Sequence, residues 1–383
     1  MAATERRPDP LLRRLGRFLR AAGALLQRIA PLAGGVLAAT SAKGAELPED
    51  RADLMYHEYT GGGVTALGPA VLVRKSILDS FSLTGSYYVD MVSNASIDVV
   101  TMASPFKETR QEYGAGLDYV YRDTSISLTG SNSSEPDYTA NRYGVDVSQE
   151  VFGGMTTVAI GYTHGWDTVG KHNTPSFSAA ANHWQYRFGL TQVLTPRLLA
   201  SLNLESISDQ GYLGSPYRAV RVFGAFVPER DPATRSSRAA TLRIAGDLGS
   251  RSAVRAQYRY FWDTWDVRAH TAEVAYSRHF GNRWLADASF RYYRQSKALF
   301  YSDNFTQELT YMTRNRQLSS FDSLGPGIKV SYTVASVPSR YEVRLNGSYQ
   351  WLDFRYNDFT DLRTGRLYSF NASVMEFFVS ATF

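Results

Sequence analysis

Along most of the chain after residue 52, charged and polar side chains stand at every second position, and the positions between them are apolar or aromatic. In 254–263, Arg255, Gln257, Arg259, Phe261 and Asp263 alternate with Val254, Ala256, Tyr258, Tyr260 and Trp262; the same split runs through 284–292 and 341–351. Gathered across the chain, the wet set holds the acids Asp90, Asp118, Asp146, Glu205, Asp247, Glu273, Asp287 and Glu342. Its bases are Arg142, Arg187, Arg243, Arg255, Arg259, Arg291, Lys329 and Arg344. Lining a water-filled passage, charges of both signs in comparable number set a transverse field that selects small polar solutes without strong preference for either ion sign. The same set, paired internally, would instead make a salt-bridged lumen that fills an enclosed space and conducts nothing.

Two connections are suited to narrowing such a passage. Asn94–Pro105 carries Asp98, and Gly211–Val227 carries Tyr217 and Arg218 with Pro216 nearby, where proline blunts strand formation and arginine offers carboxylate or phosphate contacts. An external cap packed on its neighbours is the other reading of both. Other chemistry has little to stand on. Cysteine is absent, which removes thiolate metal sites, iron–sulfur clusters and Cys nucleophiles. The six histidines (His57, His164, His172, His183, His270, His279) show no metal-ligand spacing, and Asn357, Asp358 and Asp361 lack the twelve-residue pattern of a calcium loop. No G-x-S-x-G occurs, and neither His270 nor His279 has a local nucleophile. No enzymatic activity, metal or cofactor is therefore expected.

The elements that must hold the wet set are strands, since only a period of two puts alternate residues on opposite faces. Their oily face tends to end in aromatics, among them Tyr87, Tyr121, Tyr162, Trp184, Trp262 and Trp351, as rings do at a membrane–water interface. Connections alternate between short turns (77–80, 122–125, 152–155, 194–197, 248–251, 280–283, 335–340) and mostly longer loops (93–107, 133–139, 167–181, 209–234, 297–317, 355–367), the arrangement of outer-membrane barrels. Seven hairpins give fourteen strands; 368–383, ending on Phe383, adds one, and 52–60 supplies the partner that an even count requires. The expected fold is all-β: a transmembrane antiparallel barrel of sixteen strands over 45–383, or fourteen if 52–60 is an inner plug or one hairpin lies outside the wall.

Composition agrees. Tyr and Phe number 25 and 20, Gly 30, and charged residues make up 20% of 383. The net charge of +5 is carried by the first 45 residues, where eight Lys and Arg face only Glu5 and Asp9, leaving the remainder near −1; nucleic acid is not an expected partner. Residues 1–44 read as an export signal: an Arg-rich stretch, the apolar run 29–39, then Ala42-Lys43-Gly44 as a small-x-small cleavage pattern. Outer-membrane lipid is the expected surrounding.

Three motifs carry a family likeness: Ser93-Asn94-Ala95-Ser96-Ile97-Asp98-Val99-Val100 leading to Ala103-Ser104-Pro105; Gly211-Tyr212-Leu213-Gly214-Ser215-Pro216-Tyr217-Arg218; and Arg291-Tyr292-Tyr293-Arg294-Gln295-Ser296 before Phe300-Tyr301. With them the chain, over about 46–383, resembles the bacterial family called domain of unknown function 3570. The resemblance implies an outer-membrane β-barrel of a Gram-negative envelope and assigns no reaction. It also implies company with periplasmic envelope proteins (a thioredoxin-like protein, a small lipoprotein, a flavin transferase), so the alternative to a porin-like conduit is a non-conducting barrel on which such partners dock.

Overall fold

The computed structural model describes residues 45–94, 96, 106–172 and 174–383; the expected export signal and Asp98 lie outside the described residues. The first nine strands are β1 (Arg51–Gly61), β2 (Val64–Leu78), β3 (Phe81–Asn94), β4 (Phe106–Tyr121), β5 (Thr124–Glu135), β6 (Tyr138–Val151), β7 (Thr156–Val169), β8 (Ala179–Thr195) and β9 (Leu198–Gly211). A small hairpin follows, β10 (Ala219–Val222) and β11 (Ala225–Pro228). The rest are β12 (Thr234–Gly249), β13 (Ser252–Asp263), β14 (Arg268–Phe280), β15 (Trp284–Gln295), β16 (Phe321–Val337), β17 (Tyr341–Asp361) and β18 (Arg366–Thr382). Every strand except β10 and β11 belongs to one closed antiparallel barrel of sixteen, in chain order, with β9 pairing β12 across the inserted hairpin.

Closure runs between β1 and β18, in register from Arg51 opposite Thr382 to Gly61 opposite Ala372. A closed wall leaves no open strand edge, so the ladder pairs backbone N–H with C=O all round the cylinder, broken at local bulges, as strands must to cross hydrocarbon. The oily positions point outward: Leu54, Ile160, Val274, Phe290 and Phe377 are each at least half exposed, and their counterparts one residue along turn inward. Aromatic girdles rim the wall, with Tyr143, Tyr162, Trp166 and Trp184 toward one end and Trp284 packed on Tyr332 (4.5 Å) toward the other.

The seven short turns lie at 79–80, 122–123, 152–155, 196–197, 250–251, 281–283 and 338–340, all at one end with both termini; we call this the turn end. At the opposite loop end, two connections expected to be long are short. β5 and β6 stay paired up to Glu135 and Tyr138, and β17 and β18 up to Asp361 and Arg366. The first stretch is polar on both faces and so reads as a loop; the second mixes charges and a glycine with Tyr356 and Phe359, which pack into the cluster at the loop end. Beyond the membrane both faces meet water, and a strand there needs no oily side.

Candidate functional site

The inward register positions form the candidate site, and the sixteen acids and bases gathered into the wet set from the sequence stand at them: Asp90, Asp118, Arg142, Asp146, Arg187, Glu205, Arg243, Asp247, Arg255, Arg259, Glu273, Asp287, Arg291, Lys329, Glu342 and Arg344. The pairing register brings several together across strands. Arg187 Nη2 donates to both carboxylate oxygens of Asp146 at 2.8 and 2.9 Å, its Nε donates to one of them at 3.3 Å, and Nη1 donates to Thr163 and Gln185. Gly161 lies between these two residues, and a Cβ there would stand 2.1 Å from Asp146 Oδ1; only glycine leaves room for the pair. Arg255 reaches Asp287 and Arg259 reaches Glu205, each at 3.4 Å, while Arg344 pairs with Glu342 on its own strand. Glu273 and Arg291 stand opposite each other on β14 and β15. Asp118 accepts from Ser127 at 2.5 Å, and Arg243 donates to Gln257.

Asp90 has partners that the sequence reading did not single out. It takes His57 at 2.8 Å and Arg110 at 3.2 Å, and the His57 ring stacks on Tyr88 at 4.5 Å. A His on β1 meets an Asp on β3 because Gly68, between them on β2, has no side chain. Between β13 and β18, Arg255, Glu273, Asp287, Arg291, Lys329 and Glu376 line an open cavity of about 590 Å³. Its pairs are partly exposed, and each contributes at most about 1 kcal/mol to stability. Their main effect is a patterned field in a wet space.

Toward the loop end the interior changes character. The inward residues Phe261, Phe321, Phe354 and Phe370 pack against buried Trp265, Val267, Leu318, Tyr356 and Tyr368. The β15–β16 loop, residues 296–320, adds Ala298, Tyr301 and Leu318 to this cluster and folds into the mouth: Gln295 Nε2 donates to the carbonyls of Gln317 and Ser319 at 2.9 and 2.7 Å. Arg314, 4% exposed, fastens that loop. It pairs with Asp303 at 2.7 Å, donates to the Thr360 carbonyl at 2.6 Å and lies 4.3 Å from the Phe359 ring centroid. The β10–β11 hairpin packs on the same loop through Val220, Phe305 and Met312.

The two connections expected to narrow the lumen fare differently. Of 94–105 only Asn94 and Ser96 are described. In the other, Arg218 lines an interior cavity of about 680 Å³, whereas Tyr217 stands at the rim, 47% exposed, its hydroxyl donating to Asp137 and accepting from the His172 N–H at 2.6 Å. The loop that packs into the interior among the described residues, 296–320, was legible only as a long connection.

Several histidines and loop acids make contacts with other protein groups. His164 stacks on Trp184 in the outer girdle, His270 bonds Tyr258, and His183 bridges Asp167 and Asp209. Asp358 accepts from the Ser320 N–H and Asp361 pairs with Arg363. Among the described residues one set, Glu108, Glu135 and Asp137, brings carboxylate oxygens within 4.8 Å of one another.

No curated protein matches the chain in sequence. Among solved structures it is similar to the siderophore receptor PirA from Pseudomonas aeruginosa, with 10% identity over 88% of this chain and 81% of that one and a TM-score of 0.43. It is also similar to a Pseudomonas aeruginosa FadL homologue (13% identity, 88% and 90%, TM-score 0.40) and to a loop-deleted OmpT of Vibrio cholerae (10%, 86% and 97%, TM-score 0.46). A family model described as a protein of unknown function, DUF3570, matches residues 91–351; the matched span is shorter than the sequence likeness had suggested but contains all three motifs, and the chain belongs to that family.

Proposed function

We propose that the protein is a porin-like conduit for small polar solutes across the outer membrane of a Gram-negative envelope. One observation carries this reading: the strands of the closed wall turn apolar residues outward and polar ones inward, and opposite charges face one another across a water-accessible space. A sixteen-stranded wall is wide enough to leave an aqueous lumen after its own side chains are placed. Because acids and bases are interleaved, the passage favours polarity over charge sign, and small solutes with a strong dipole align in the field between the charges. The packed loop at the mouth sets the size limit.

Recording from the refolded barrel in a planar bilayer tests the proposal. Steady conductance with weak ion selectivity is expected, and Arg187→Gln, which leaves Asp146 unopposed, should shift the reversal potential toward cation preference. Silence at every voltage overturns the conduit, and a stoichiometric periplasmic protein recovered with the silent barrel would establish the docking role instead.

A further inference from the structure

The loop-end cavity has features that the conduit does not require. It is a partly open cavity between the wall, the β9–β12 connection and the 296–320 loop, and its lining mixes rings with hydrogen-bonding groups. Tyr212, Phe261 and Tyr293 contribute ring surface; Tyr212 is itself braced by an edge-on contact with Phe177 at 5.6 Å. Arg218 contributes a guanidinium with no ion pair within 4 Å among the described residues, and the Gln317 side-chain amide has no hydrogen bond of its own among them. Opposite in sign stand Asp231 and its neighbour Glu229. Glu229 accepts from the Thr313 hydroxyl and the Arg314 N–H through one oxygen, while its other oxygen and Asp231 Oδ1 are buried and have no hydrogen-bond partner. The Asp231 carboxyl lies against Gly214, where a Cβ would come within 2.7 Å of it.

Buried acceptors without donors are costly, and across from them the half-buried guanidinium of Arg218 is left without an ion pair among the described residues. A ligand that supplies both relieves both. An ion supplies one sign only. Hydroxyl groups donate and accept at once, and a ring of C–H bonds above them suits an aromatic face. Burial, and then Glu229, push the Asp231 carboxyl up to about 7, so near neutrality this wall bears only part of a negative charge and holds a cation weakly. About 680 Å³ falls within the range of small-molecule sites and admits a short oligosaccharide. We infer that the loop-end cavity is a binding site for polyhydroxylated solutes of the saccharide class, held between Arg218 and Asp231 over the rings of Tyr212, Phe261 and Tyr293. The site is independent of conduction: it would hold such a solute whether the barrel passes it onward or only captures it.

Titration calorimetry on the folded barrel in a detergent without a sugar headgroup tests this, with maltotriose as the probe and spermidine and citrate as ionic counterparts. Maltotriose is expected to bind, and Arg218→Ala and Asp231→Ala each to weaken it by about tenfold, the loss of one charge-assisted hydrogen bond. Arg122→Gln, in a turn at the far end, should leave it unchanged. Heat-modifiable migration on gels shows that each variant is folded. No heat with maltotriose, an affinity indifferent to both variants, or tighter binding of spermidine or citrate in the same cavity each overturns the assignment. A bilayer that stays silent while maltotriose binds removes the conduit and leaves this site; conductance without sugar binding does the reverse.

Discussion

The two halves of the lumen use the same wall differently. Toward the turn end, Arg255, Glu273, Asp287 and Lys329 line an open, wet space, and their partners are within reach but not sealed from water. Toward the loop end, inward positions of the same and neighbouring strands carry Phe261, Phe321, Phe354 and Phe370, and a loop covers them. A single strand shows the change: β13 goes from Arg255 through Arg259 to Phe261 on one face. The register stays constant, and the side chains decide whether water or protein fills the interior. A polar inner face stays hydrated without a partner; an apolar one must be covered.

The largest test of this contrast is Arg314→Ala. It removes the ion pair to Asp303, the bond to the Thr360 carbonyl and the ring contact with Phe359 at once, leaving the 296–320 loop without its clamp. Losing a buried, paired cation costs about 3 kcal/mol or more locally. Single-channel conductance should rise several-fold with frequent gating, and unchanged current would mean that the loop does not limit the passage.

A smaller effect follows from Asp231. Its folded value of about 7 exceeds the unfolded 3.8, so the folded loop binds more protons than the unfolded one. The resulting stabilisation is fully present below about 4, and is lost as pH rises through about 7. Hydrogen exchange of residues 219–231, corrected for intrinsic rate, should show several-fold greater protection at pH 5 than at pH 8.5. Asp231→Asn should flatten that dependence, while exchange in the turn-end half stays constant.

The smallest concerns the turn end. Ser250 and Arg251 both take positive φ, 51° and 60°, in a two-residue hairpin turn that favours Asn-Gly. Replacing the pair with Asn-Gly should raise the unfolding midpoint by the equivalent of about 1 kcal/mol and leave conductance untouched.

Much of this was legible in the sequence. Alternation in segments such as 254–263 and 284–292 gave both the strands and the inward set, because a period of two admits one assignment once a single face is known to be oily. The short turns were legible because strand pairs so tightly joined leave few residues between them. The identity of the inward loop was not. Proline and arginine drew attention to 211–227, yet the deciding signal was elsewhere: aromatics at inward parity, Phe261 already visible among Arg255, Gln257 and Arg259, mark a surface that something must cover. Which segment covers it depends on contacts such as Arg314 with Thr360, 46 residues apart, and no local pattern encodes those.

The seam between the first and last strands has a consequence for how the cylinder comes into being. Arg51 lies beside Thr382, and Phe383 donates its N–H to the Asp50 carbonyl at 3.1 Å. Every other wall joint links neighbours in the chain or spans one insertion, so this joint closes the longest loop and carries the greatest entropic cost of assembly. Until it zips, the growing sheet has two raw margins that acyl chains cannot satisfy, and a half-made intermediate has to be shielded by something other than lipid.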